Sequence, residues 1–176
     1  MREIALDTET TGTDSKGSDR IVSIGCVEME NRIKTGKTFY KLINPERSVP
    51  KEAVAIHGLS DEILASKPKF WEIVDEFLEF IGNAPLVIHN APFDMGFINK
   101  ELKLAGKEPL PMTRAIDTLT MARKKYPGHQ ASLDKLCLKF GIDNSNRQIH
   151  GALLDADLLA DVYDKMLADT TVVKEP

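Results

Sequence analysis

The spacing of apolar positions divides the chain into two regimes. Up to Ile43, short runs rich in β-branched residues alternate with polar turns, which is a strand pattern. Arg2 to Asp7 reads as one strand and Ile21 to Val27 as a second, with Gly25 admitting close packing or a bulge. Thr38 to Ile43 reads as a third, entered by the turn-prone Thr35-Gly36 and ended by Asn44-Pro45, so this part predicts an antiparallel meander.

From Ser60 onward the period lengthens. Ser60 predicts an N-cap for a short helix through Leu64, with Asp61 and Glu62 suited to its first turn. Phe70, Ile73, Val74, Phe77, Leu78 and Ile81 recur at helical spacing and predict a helix with one buried face, closed by Gly82. Strands then alternate with helices. Pro85 to His89 is an apolar strand, Pro92 to Leu104 a helix, Ala115 to Asp117 a strand end, and Leu119 to Lys125 a helix broken by Pro127-Gly128. Ser132 is expected to cap a helix through Phe140, and Leu153, Leu154, Leu158, Val162 and Met166 mark a last helix over Ala152 to Leu167. Strands followed by strand–helix alternation predict an α/β fold, a mixed sheet covered by helices. No repeat or low-complexity linker divides it, so one domain is expected over 1–168, with a loose tail at 169–176.

Composition narrows the class without naming a chemistry. The 42% apolar and 28% charged content over 176 residues belongs to a globular chain that can close a core without disulfides. No apolar run is long enough to span a bilayer and no signal-peptide pattern opens the chain, so no membrane contact and a cytoplasmic location are expected. Cys26 and Cys137 lie in apolar segments far apart and read as buried reduced thiols. A net charge of −4 argues against holding nucleic acid through a broad basic surface. Any such contact must be local. The stretch from Arg114 to Arg147 is richer in base than acid and could track a nucleic-acid strand, although a solvated helix face accounts for at least half of its charges.

Three segments carry candidate chemistry. In Asp7-Thr8-Glu9-Thr10-Thr11-Gly12 the two acids are two residues apart at a strand end, so both point to one face. Adjacent carboxylates repel and lose solvation, and a divalent cation compensates both; an all-oxygen donor set favours magnesium or manganese over zinc. On the pair alone, an exposed turn with solvated acids accounts for the residues equally well. In His89-Asn90-Ala91-Pro92-Phe93-Asp94 a strand meets a helix, and the helix dipole alone would explain Asp94. His89 and Asn90 are expected to stabilise that turn. In His150-Gly151-Ala152-Leu153-Leu154-Asp155 the histidine and the acid would diverge on one helix, so His150 is expected to precede the helix and lean back across its start, with Gly151 permitting the bend. Asp157 and Asp161 are expected to be solvated.

In this order and spacing the three segments resemble the DEDDh exonucleases, named for four acids and a histidine. Val87-Ile88-His89-Asn90-Ala91, Tyr126-Pro127-Gly128, Ile142-Asp143-Asn144-Ser145 and Leu159-Ala160-Asp161-Val162-Tyr163 extend the likeness over nearly the whole chain, toward the proofreading epsilon subunits of bacterial DNA polymerase III. The resemblance implies an RNase H-like fold with a five-stranded mixed sheet, and 3′-to-5′ hydrolysis of DNA to nucleoside 5′-monophosphates. It implies that Asp7, Glu9, Asp94 and Asp155 bind two magnesium or manganese ions with the scissile phosphate between them. His150 would be the general base, a role that suits imidazole near neutral pH. Glu52 and His57 would hold the terminal nucleotide, Ile56 would be an apolar wedge, and main-chain groups from Thr8 through Thr11 to Gly12 would meet the 3′ hydroxyl. Single-stranded or frayed 3′ ends are the implied substrate, and the polymerase alpha and theta subunits the implied partners. Enteric epsilon subunits reach alpha through a tail beyond the nuclease domain, whereas this sequence ends at Pro176, which puts tail-mediated alpha binding in doubt and leaves a theta contact on the nuclease domain open but without support in the sequence.

Two rivals remain within the nuclease chemistry or the fold: an RNA-trimming or oligoribonucleotide-degrading relative, and a non-catalytic polymerase accessory module. An aspartyl-phosphate phosphatase with Asp7 as nucleophile needs a second aspartate where Glu9 stands, and leaves His150 without a role.

Overall fold

Five strands, β1 (Arg2–Thr10), β2 (Ile21–Glu30), β3 (Ile33–Leu42), β4 (Leu86–Ile88) and β5 (Ala115–Asp117), form one sheet in the order β3-β2-β1-β4-β5. This computed structural model describes residues 1–170. β2 runs antiparallel to β1 and β3, whereas β4 is parallel to β1 and β5 parallel to β4. The sheet is therefore mixed, as expected. Among the described residues seven α-helices surround it: α1 (Lys51–His57), α2 (Asp61–Leu64), α3 (Phe70–Ile81), α4 (Ala91–Leu104), α5 (Thr118–Lys125), α6 (Leu133–Phe140) and α7 (Ala152–Ala168).

The two-residue period of β1 decides what each face of the sheet meets. Ile4 and Leu6 point to a core shared with Phe70 and Phe77 of α3 and with Phe97 of α4. Burying an aromatic side chain of this kind contributes about 1.5–3 kcal/mol before the entropy of ordering it is set against the gain. Ala5 points the other way, into a core with Ala122, Leu136, Leu159 and Val162 from α5, α6 and α7. On that same side Glu3 accepts a hydrogen bond from the Tyr163 hydroxyl at 2.7 Å. Asp7 and Glu9 continue this row past the end of the core, so strand alternation carries them toward the start of α7.

Gly25 sits opposite Asp7 on β2, and the first turn of α7 lies against it. A Cβ placed on Gly25 would come 2.5 Å from the Ala152 carbonyl oxygen, so close packing is the reason for this glycine. The loop after β1 is held from beneath by Glu101 of α4. That carboxylate is 1% exposed, takes two bonds from Arg20 Nε at 3.0 and 3.1 Å, and accepts the Ile21 N–H at 3.1 Å.

Several boundaries differ from the sequence expectation. The hairpin between β2 and β3 turns at Asn31-Arg32, both at positive φ (51° and 69°), as a two-residue hairpin turn requires. Gly36 does take positive φ (89°), but within β3, where the pairing slips between Met29↔Lys34 and Val27↔Thr38. It marks a bulge instead of the turn. α1 is a helix that the sequence pattern did not predict. Cys26 and Cys137 are buried and unpaired, as expected. Among the described residues no helix is long and apolar enough to cross a membrane. Residues 171–176 of the expected tail lie outside the described residues, while Asp169 accepts from the Tyr126 hydroxyl.

Candidate active site

Three chain segments converge at the carboxyl end of β1. Asp7 and Glu9 leave the strand on one side, and one oxygen of each lies within 4.8 Å of the others and of an oxygen from Asp155. Asp155 belongs to the first turn of α7, where its N–H donates to the Gly151 carbonyl at 2.9 Å, and it is buried. Asp94 comes from the first turn of α4 and is equally buried. It stands outside the three-acid group, with Oδ1 accepting from the Thr8 hydroxyl and from the Thr8 N–H at 3.2 Å. Thr8 is thus turned toward Asp94.

His150 precedes α7, as the helix geometry required. Its N–H donates to the Ile56 carbonyl at 2.8 Å, and its ring opens into a cavity of about 650 Å³ shared with Asp7, Asp155 and Arg147. Gly151 has ordinary extended backbone (φ −114°, ψ 137°) and open space where a Cβ would stand, so the bend does not depend on glycine there.

Burial and mutual repulsion oppose ionisation of these acids, and Arg147 offsets part of it. Burial, followed by repulsion from Asp94, Glu9 and Asp155, holds the Asp7 carboxyl well above the usual range. Burial and then the charges of Asp155 and Asp94 push Glu9 up to about 8. Burial also raises Asp94 to about 7, against the opposing hydrogen bonds from Thr8. Asp7 Oδ2 is buried without a hydrogen-bond partner. An orphaned carboxylate oxygen facing other carboxylates, with no sulfur or ring nitrogen in the group, fits a hard divalent cation.

On the other side of Glu9 lies a cavity of about 490 Å³, walled by the strand from Thr8 to Gly12 and by Glu52, Ile56, His57 and Phe93. Glu52 and Ile56 are exposed on α1. His57 is buried, and backbone holds both of its ring nitrogens: Nδ1 accepts from the Leu59 N–H at 3.0 Å and Nε2 donates to the Thr10 carbonyl at 3.1 Å. Burial accordingly lowers its pKa. The Thr11 N–H donates to the Arg20 carbonyl at 2.8 Å and its hydroxyl to Asp19 at 2.8 Å. A Cβ on Gly12 would overlap the Asp19 carboxylate.

Other residues singled out by sequence have structural roles. His89 Nε2 donates to the Ala131 carbonyl at 2.7 Å and its Nδ1 lies 2.8 Å from Thr118 Oγ1, while Asn90 takes a left-handed conformation and donates its N–H to Asp117. Asp157 and Asp161 have exposed side chains, as expected, and each also lies 3.0 Å from Lys34 because β3 runs beside that face of α7. Within the basic stretch, Arg114 caps carbonyls beyond the end of α3 and Lys139 lies over the Tyr126 ring, so these charges serve the fold. Arg147 was legible only as one of those bases. Its guanidinium is forked onto Asp155, and nothing in its spacing signals this.

Residues 4–163 match the exonuclease family RNase_T. A DNA polymerase III subunit epsilon from Rickettsia felis is 54% identical over 166 residues, a span of 93% of this chain and 72% of the relative. The Escherichia coli K12 subunit of that name is 47% identical over 178 residues, 97% of this chain and 73% of the relative. The chain belongs to this exonuclease family. It is a 3′-to-5′ exonuclease of the epsilon-subunit kind, and the family implies divalent metal ions. Two solved structures share the fold. The nuclease domain of 3′hExo, a DEDDh family member bound to rAMP, aligns with a TM-score of 0.82 at 18% identity over 96% of this chain and 92% of that one. Exonuclease X in complex with 5′ overhanging duplex DNA aligns at 0.68 and 24% over 95% and 90%. At these identities they show an RNase H-like exonuclease fold and nothing of substrate.

Proposed function

We propose that this exonuclease removes nucleoside 5′-monophosphates from 3′ ends of DNA and proofreads for a replicative polymerase. The observation that carries this reading is the adjacency of the acid group of Asp7, Glu9 and Asp155 to a cavity of about 490 Å³, within the size range of small-ligand sites. Glu52 and Ile56, with the strand from Thr8 to Gly12, would seat the terminal nucleotide there; Glu52 has the acceptor for its hydroxyl and Ile56 the apolar surface to lie against its base. His57, tied to the Thr10 carbonyl, holds α1 against β1 and so places both of them.

Asp7, Glu9, Asp94 and Asp155 would hold two magnesium or manganese ions. Such ions, when bound, supply Lewis-acid activation of water and charge stabilisation on both sides of a scissile phosphate. The chain's own residues do the rest. Thr8 donates twice to Oδ1 of Asp94, which leaves Oδ2 as the oxygen that would ligate a cation. His150, whose ring has no hydrogen-bond partner among the described residues, takes the proton of the attacking water as general base.

Frayed or single-stranded 3′ ends are the proposed substrate. The epsilon-subunit relatives support association with DNA polymerase III; contact with its alpha and theta subunits and a cytoplasmic location are part of the proposal. The test is degradation of matched and 3′-mispaired primer-templates, labelled at the 5′ end, beside RNA of the same sequence, with magnesium, manganese or chelator. Stepwise shortening from the 3′ end that needs metal and is faster on the mispaired DNA is expected. A preference for RNA would replace proofreading by RNA trimming, and no shortening with either metal would leave an accessory module.

A further inference from the structure

The loop between α6 and α7, residues 141–151, carries His150, and near its start Asn144 donates its side-chain amide to Asp134 Oδ1 at 2.9 Å. At its far end the His150 N–H is tied to Ile56. In its middle Arg147 makes three contacts: Nε to Asp155 Oδ1 at 2.7 Å, Nη2 to Asp155 Oδ2 at 3.1 Å, and Nη1 to Asp134 Oδ2 at 2.8 Å. Asp134 stands in the first turn of α6 and Asp155 in the first turn of α7. The Arg147 side chain is 11% exposed and that of Asp155 5%, so the fork is largely shielded from solvent. A planar guanidinium bonded on two edges has its orientation set, which a lysine ammonium cannot reproduce.

We infer that Arg147 is a positioning residue of the hydrolysis: by joining Asp134 to Asp155 it sets the loop so that His150 faces the carboxylates, and it holds Asp155 in one orientation toward the cation site. Both oxygens of Asp155 are engaged by a rigid group only three residues before His150, and that group is itself fixed to a neighbouring helix. Arg147 does not line the terminal-nucleotide cavity. Its loss therefore disturbs the chemistry and leaves nucleotide seating in place. The inference rests on the general-base reading of His150.

Three variants separate geometry from charge. Arg147→Gln is expected to lower kcat at least about tenfold, since a small misplacement of a catalytic group is felt on this scale, with KM on a short DNA oligonucleotide within about twofold of wild type. Arg147→Lys keeps the charge and is expected to keep the melting temperature but not kcat. Asp134→Asn leaves the Asp155 fork intact and is expected to lower kcat about threefold, by freeing one end of the clamp. The imidazole NMR signals of His150, recorded on the metal-free proteins, should shift or broaden in all three variants. That readout judges the positioning claim even where the wild type proves inactive and the nuclease reading itself fails. Full kcat in Arg147→Lys, or unchanged His150 signals in Arg147→Gln, would overturn the inference and reduce Arg147 to a counter-charge.

Discussion

Asp7 is held where the fold would be more stable without its charge. It has a buried oxygen with no hydrogen-bond partner and three acids nearby, so its ionisation is opposed by burial and by repulsion together. Asp7→Asn removes the charge at nearly constant shape. The metal-free variant is therefore expected to melt above wild type by about 2–4 °C, the shift that ~1 kcal/mol produces in a chain of this size, while hydrolysis is lost. Melting both proteins in chelator checks this, and a lower melting temperature for the variant would show that the acid is stabilised by something other than a cation. At this scale the sequence is legible where local geometry decides. Asp7 and Glu9 share a face because strands alternate, and His150 must precede α7 because a helix would separate it from Asp155. It is silent where the partner is distant in sequence, as in the Thr8 hydroxyl on Asp94 or the Arg147 fork, since spacing carries no information about groups brought together by packing.

Among the elements, those with an apolar stripe could be read and those without could not. α3 matches its sequence-predicted ends because its buried residues Phe70, Ile73, Val74, Phe77 and Ile81 all fall on one apolar face. α1 escaped because it buries only Ala53 and His57, and a face whose larger member is histidine leaves no hydrophobic period to detect. β3 was truncated for a similar reason, its first six residues being exposed and interrupted by the Gly36 bulge. The join between β2 and α7 is the element contact on which the site depends most, since α7 carries Asp155 and Gly25 alone allows its approach. Gly25→Ala is expected to destabilise the protein by about 1–3 kcal/mol, the usual cost of overpacking, and to lower turnover at the same time because the first turn of α7 must retreat from β1. Urea unfolding and single-turnover hydrolysis measure the two effects. Lost stability with undiminished turnover would mean that β2 yields instead, and that Asp155 keeps its place.

For the molecule as a whole, the acids that make the site also set how stability varies with pH. In the metal-free protein Glu9 titrates near 8 and Asp94 near 7, and Asp7 is raised as well, all above their ordinary values of 4.5 and 3.8. Between the ordinary carboxylate range and about pH 8 these three acids bind more protons in the folded protein than in the unfolded chain, so their contribution to stability falls as pH rises through that window, opposed by His57 and His89, whose pKa values burial lowers. The stabilisation is present below the unfolded values and is lost through the folded ones. A divalent cation binds the ionised carboxylates, so its stabilising effect must grow over the same window, as linkage requires. Melting temperatures in chelator are expected to drop by at least about 5 °C from roughly pH 5 to pH 8, whereas those in saturating manganese stay level or rise, so that the two curves diverge. The same scans on Asp7→Asn should show a shallower fall in chelator, because one of the raised groups is gone. Parallel curves with and without manganese would place the cation away from these carboxylates, and would remove the physical basis for reading Asp7, Glu9, Asp94 and Asp155 as one site.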